Sequence, residues 1–106
     1  MSNVRQIKPN KIAVILDKER HLLFDLNAFA ELEDLYGSVD NAMDALDSGS
    51  IKVLRKLLWL GLIHEDEELT ERQVGAMLDM PSVNILGELI NEALTAQMPQ
   101  KGEEGN

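Results

Sequence analysis

The chain contains no cysteine and few aromatic residues, which make up 4% of its 106 positions. Without cysteine, the protein has no disulfides, no thiolate catalysis and no zinc site built on cysteine. With so few aromatic residues, its core must consist of Leu, Ile, Val, Met and Ala. Helices accommodate such a core better than sheets do, because strands favour aromatic and β-branched residues.

Positive charge is also scarce, since 10 Lys and Arg stand against 19 Asp and Glu and give a formal net charge of -9. Nucleic acids and anionic membranes both require a basic surface, so neither is expected as a partner. No stretch approaches the roughly 18 apolar residues of a membrane span, and the N-terminus MSNVRQIKPNK lacks the apolar core of a signal peptide. We therefore expect a cytoplasmic protein.

The apolar pattern predicts one globular domain at 11–98, between a flexible leader at 1–10 and a disordered tail at 99–106. Ile12 to Leu16 is apolar and β-rich, and a polar interruption separates it from a second apolar run at His21 to Phe24. This pattern favours a β-hairpin over 11–25 that turns at Asp17 to Arg20. A continuous helix through the same residues is the competing interpretation.

Beyond the hairpin the apolar residues recur every three or four positions, which is typical of amphipathic helices. In the first helix this stripe comprises Leu26, Phe29, Leu32, Leu35 and Tyr36. Capping residues and breaks set the predicted helices at about 26–37, 39–46, 50–63, 71–79 and 82–97. The predicted caps are Asp25 or Asn27, Ser38, Ser50, Thr70 with Gln73 as a capping box, and Ser82. The predicted fold class is therefore α+β and predominantly helical, with a short N-terminal β-hairpin followed by four to five helices.

No residue pattern indicates catalysis, a cofactor or a metal. The glycines are scattered, so they form no phosphate loop. The stretch from Asp44 to Ser50 resembles a calcium loop only in part, because Leu46 and Arg55 occupy positions that need oxygen ligands. His64 has no partner at metal-binding spacing, and we interpret it as an exposed histidine at a helix end. We expect no enzyme activity.

The helix at 50–63 is the least one-sided in the chain. At about 100° per residue, one broad side forms an ordinary core stripe of Ile51, Leu54, Leu57, Leu58 and Leu62. The other side is mixed, with three cations and three apolar residues: Lys52, Arg55, Lys56, Trp59, Ile63 and, at its border, Leu60. An aromatic residue rimmed by charge is typical of a partner-binding anchor. A helix that is apolar all round is instead usually wrapped by its own domain, so Trp59 lies either in the core or in an interface.

The acidic run from Glu65 to Glu68 follows this helix directly. It is either a solvated loop or a docking patch for basic helices.

Three motifs carry a family resemblance that extends over residues 11 to 95. Phe24-Asp25-Leu26-Asn27 leads into a helix of the type A-x-x-E-L-E, the middle helix contains R-x-L-L-W-x-G-L, and L-T-x-x-x-V-G follows the acidic run. The matching residues are Asn27, Ala28, Glu31, Leu32 and Glu33; Arg55, Leu57, Leu58, Trp59, Gly61 and Leu62; and Leu69, Thr70, Val74 and Gly75. The chain thus resembles the tail assembly chaperones of long-tailed bacteriophages and prophages, including the related gene-transfer-agent group.

The resemblance implies a non-catalytic protein of the bacterial host cytoplasm that binds the tape measure protein. Such chaperones keep this long helical client soluble until tail-tube subunits polymerise around it, and they are absent from the finished virion. Many are also made in a longer form by a programmed ribosomal frameshift. The expected partners are the tape measure protein, tail-tube subunits and further copies of the chain itself.

In this interpretation, Trp59, Leu60 and Ile63 are the apolar anchors of the client, and Lys52, Arg55 and Lys56 orient it through charges at the rim. Two alternatives remain. The first is a structural tail component, either a tube or a tail-completion subunit, although tube subunits are generally rich in strands. The second is a small acidic regulatory module.

Overall fold

The chain begins with a β-hairpin in the computed structural model, which describes residues 11–97; the predicted leader and tail lie outside this range. Strands β1 (Ile12–Ile15) and β2 (Glu19–Leu22) pair antiparallel, with Ile12 opposite Leu22 and Ile15 opposite Glu19. The hairpin prediction is confirmed, but the turn occupies residues 16–18 rather than 17–20. Glu19 and Arg20 belong to β2 because they pair with Ile15 and Val14 of β1. Arg20 is also buried, and its Nε donates to Asp17 Oδ1 at 2.7 Å.

Within residues 11–97, five α-helices follow the hairpin, which confirms the predicted helical α+β fold class. They are α1 (Leu26–Tyr36), α2 (Val39–Asp47), α3 (Ile51–Leu62), α4 (Glu71–Ala76) and α5 (Val83–Gln97). The side chains of Asp25, Ser38 and Ser50 accept hydrogen bonds from backbone N–H groups in the first turns of α1, α2 and α3. The capping box of Thr70 and Gln73 opens α4 as predicted. The starts of four of the five helices described are thus set by capping side chains that bond to the first turn of the helix.

The junction between α4 and α5 differs from the prediction. Helix α4 ends at Ala76 instead of residue 79, and a 3₁₀ turn (Met80–Ser82) leads directly into α5. Asp79 has extended backbone geometry and caps this turn by accepting from the Ser82 N–H. Ser82 is therefore inside the turn and is not the cap of α5. An aspartate that bonds locally and the proline at position 81 both oppose continuation of α4.

Helix α3 lies at the centre of the fold and packs against β2, α2, α4 and α5. The predicted core stripe of Leu54, Leu57, Leu58 and Leu62 is buried, whereas Ile51 is 47% exposed. Gly61 allows the closest approach to the hairpin, because a Cβ on it would lie 3.0 Å from atoms of both Leu22 and Phe24. The Gly61 carbonyl oxygen accepts a hydrogen bond of 2.9 Å from the Leu23 N–H, which fixes the hairpin on α3.

Helix α1 packs mainly against α2. Its buried residues are Ala28 and Leu32, while Leu26 is 85% exposed and Leu35 is also exposed. The predicted apolar stripe of α1 is therefore only partly correct. Which side of the helix is buried depends on how α1 packs against its neighbours as well as on its own apolar positions. No helix within residues 11–97 is both long enough and apolar enough to cross a membrane.

Candidate functional site

The three predicted apolar anchors line a single groove. Trp59, Leu60 and Ile63 lie on the side formed by the C-terminal end of α3, and α1 supplies the facing side with Ala28 and Ala30. The groove has a volume of about 440 Å³. The family-like motifs at the start of α1 and in the middle of α3 thus meet at one surface.

Trp59 belongs both to the fold and to the groove. Its ring is half-buried, and its Nε1–H donates to the Leu69 carbonyl oxygen at 2.8 Å. The Lys56 ammonium lies 5.3 Å from the ring centroid, within the range of a cation–π contact. The indole is therefore held on two sides by its own chain while it also lines the groove.

Leu60 differs from the expectation of an exposed anchor, since it is only 1% exposed. It contributes to the buried floor of the groove, whereas Trp59 and Ile63 are half-buried walls. At the border of a helical face, burial of a side chain depends on the element that packs beside it. In this fold Leu60 is buried. The apolar surface available to a partner thus comes mainly from Trp59 and Ile63.

The predicted basic rim does not surround the groove. Lys52, Arg55 and Lys56 line a separate depression together with Tyr36 and Glu71. Lys56 forms an ion pair with Glu71, and Arg55 Nη2 lies 3.6 Å from Glu71 Oε1. Since α4 thereby covers part of this side of α3, two of the three cations are engaged within the fold.

The rim of the groove is acidic instead. Asp25, Glu31 and Glu67 line it beside His64, and among the described residues 11–97 none of the lining residues is Lys or Arg. The sequence carries a signal for this acidic rim that the helical periodicity does not show: no Lys or Arg occurs between Leu22 and Ile51. That stretch contains the carboxylates Asp25, Glu31, Glu33, Asp34, Asp40, Asp44 and Asp47.

One end of the groove is tied to the hairpin by the two histidines of the chain. His64, expected to be exposed, is partly buried, and its Nε2 lies 2.7 Å from the His21 carbonyl oxygen. Glu65 accepts from the His21 N–H at 3.1 Å and lies 2.8 Å from the His21 ring Nδ1. Burial opposes ionisation of Glu65, but the hydrogen bonds from His21 outweigh it and lower the pKa of the carboxyl group. The acidic run is therefore in part a structural contact.

Within residues 11–97, no group of three or more His, Asp or Glu side chains is placed to hold a metal ion. The groove combines the apolar surface of Trp59 and Ile63 with the carboxylates of its rim. No family profile, curated protein or solved structure matches the chain.

Proposed function

We propose that this protein is a non-catalytic chaperone of phage or prophage tail assembly. It binds the tape measure protein in the host cytoplasm, keeps it soluble while tail-tube subunits polymerise, and is absent from the finished virion. The observation that supports this proposal most directly is the groove between α1 and α3. It is lined by Trp59, Leu60 and Ile63, and its two sides come from the motifs that resemble the tail assembly chaperones.

The physical requirements of such a chaperone agree with the groove. A client with long apolar helices aggregates unless its apolar stripes are covered, and a helix laid into a groove covers them without any catalytic group. The chaperone itself must stay dispersed, and a net charge of -9 on 106 residues opposes its aggregation. Several copies bound along one client strengthen each other through multivalency.

Self-association remains part of the proposal. Size-exclusion chromatography with light scattering measures it directly. The emission of Trp59, the only tryptophan, reports on dilution whether the groove takes part. A red shift on dissociation places the groove at the contact between copies, and an unchanged spectrum leaves the groove free for the client.

The test is co-expression with the tape measure protein encoded in the same tail gene cluster, followed by measurement of the soluble client. Ala30→Phe fills the groove from its exposed side without altering the core. We expect this variant to lose most of the solubilising activity. Ala76→Phe, at an exposed position of α4 outside the groove, is the matched control and should retain it.

Circular dichroism and urea unfolding establish that both variants keep the fold. Full activity of a folded Ala30→Phe variant would remove the groove from the proposed mechanism. A wild-type protein that leaves the client insoluble would refute the chaperone function itself.

A further inference from the structure

We propose that the groove selects a partner helix whose apolar stripe is flanked by Lys and Arg. This inference deepens the proposed function and rests on it, because it takes the groove as the client site. It states the chemistry of the client segment: an amphipathic helix with basic margins, supplied by another protein.

The charge of the rim supports this choice. Three carboxylates line the groove, from Asp25 and Glu31 on one side and Glu67 on the other, and no Lys or Arg within residues 11–97 lines it. The nearby cation Lys56 is already paired with Glu71. A helix with acidic margins would place like charges against this rim, whereas a basic one forms complementary pairs.

The shape of the groove suits a helix with large apolar side chains. Ala28 and Ala30 are the apolar residues of α1 at the groove, and their small size leaves room opposite Trp59 and Ile63. The hydrogen bond from Trp59 Nε1 to the Leu69 carbonyl oxygen fixes the ring before a partner arrives. A wall held in place in this way loses little conformational entropy on binding.

Within residues 11–97, a second copy of this chain offers no free helix with basic margins. Helices α1, α2 and α5 contain no Lys or Arg, and α4 contains one, Arg72. The cations of α3 belong to the central helix of the fold, and two of them contact Glu71. The helices described at 11–97 therefore favour a different protein as the source of the basic helix.

The experiment uses the full chain and two synthetic helical peptides without tryptophan. Both peptides carry the same Leu stripe, and they differ only in margins of Lys or of Glu. The change in Trp59 emission during titration gives the dissociation constants. We expect the basic peptide to bind at least about tenfold more tightly, because three rim pairs each contribute modestly, and to weaken as salt is raised.

Two pairs of substitutions locate the effect. Glu31→Gln with Glu67→Gln removes rim charges and should abolish most of the preference for the basic peptide. Glu88→Gln with Glu92→Gln changes the net charge equally at exposed positions of α5 and should leave the preference intact. Asp25 is kept because its carboxylate caps α1.

The outcomes separate the two proposals. Equal binding of both peptides would overturn the inference and leave a groove that binds helices without regard to charge. Equal loss of the preference in both double variants would also overturn it, because the preference would then come from the net charge of the whole protein and not from the rim. Binding of neither peptide, while the tape measure protein is kept soluble, would also overturn it but would retain the chaperone function. Selective binding of the basic peptide without solubilisation of the client would retain the charge selection and reject the chaperone function.

Discussion

Replacement of Gly61 by alanine tests the tight packing of α3 against the hairpin. The added Cβ would lie 3.0 Å from Leu22 Cδ2 and 3.0 Å from Phe24 Cζ, and both of these side chains are fully buried. They cannot withdraw freely, because the Leu23 N–H between them is bonded to the Gly61 carbonyl oxygen at 2.9 Å. The substitution therefore either strains the core or weakens this hydrogen bond.

The expected magnitude follows from two opposing effects. Overpacking of a core costs about 1–3 kcal/mol, and alanine gains about 1 kcal/mol over glycine in a helix. We expect a net loss of about 1 kcal/mol in the free energy of unfolding, which lowers the melting temperature by about 5 °C in a domain of this size.

Gly87→Ala is the matched control within the same molecule. Gly87 lies inside α5, and a Cβ on it would lie 3.9 Å from Leu54 Cδ1, which is an ordinary contact. This variant should therefore keep the helical gain and become more stable by about 0.5–1 kcal/mol. Urea unfolding followed by far-ultraviolet circular dichroism measures both variants. Equal stabilisation by the two substitutions would refute the argument that the hairpin packs too closely to admit a methyl group at Gly61.

Three further predictions concern single interactions, each measured by chemical or acid unfolding. Arg20 holds the pKa of Asp17 at about 2, below its ordinary value of 3.8, through a side-chain hydrogen bond. The pair therefore contributes stability above pH 3.8 that is lost as the pH falls towards 2. Asp17→Asn should remove this pH dependence of the stability. An unchanged acid transition in the variant would contradict the role given to the Asp17–Arg20 pair. Trp59→Phe should lower the free energy of unfolding by about 1 kcal/mol through loss of the hydrogen bond to Leu69. A loss below a few tenths of a kcal/mol would show that this hydrogen bond contributes little. Glu71→Gln should lower the free energy of unfolding by up to about 1 kcal/mol, because it leaves two cations of α3 without their common anion. This loss should shrink in high salt. A loss independent of salt would indicate a packing effect instead.

Local features of the fold could be predicted from the sequence because they depend on residues three or four positions apart. Ser38, Ser50 and the pair Thr70 and Gln73 cap their helices through bonds to N–H groups of the adjacent turn. The hairpin could be predicted from its apolar pattern, although the limits of its turn could not. Arg20 pairs with Val14 in the strand, and no sequence pattern shows that this arginine is buried and bonded to Asp17.

The groove could be predicted only in part. The helical period places Trp59 and Ile63 on one side of α3, and the structure brings both to the groove. The period does not reveal that the fold covers Leu60 or that α4 brings Glu71 to the neighbouring cations. Nor does it show that the facing side of the groove comes from α1, whose acidic residue at the groove, Glu31, is 28 positions before Trp59 in the chain.

The sequence by itself determined the types of the elements, most of their starting points and the excess of negative charge, because each of these depends on composition or on short-range bonding. The tertiary structure decided which side of each helix is covered and which charges meet. A helical period fixes directions about one axis only, and the packing of distant segments determines what lies in each direction. For this reason the apolar anchors and the cations of α3, predicted to form one face, have different surroundings: the anchors line an acidic groove, and two of the three cations contact Glu71 of α4.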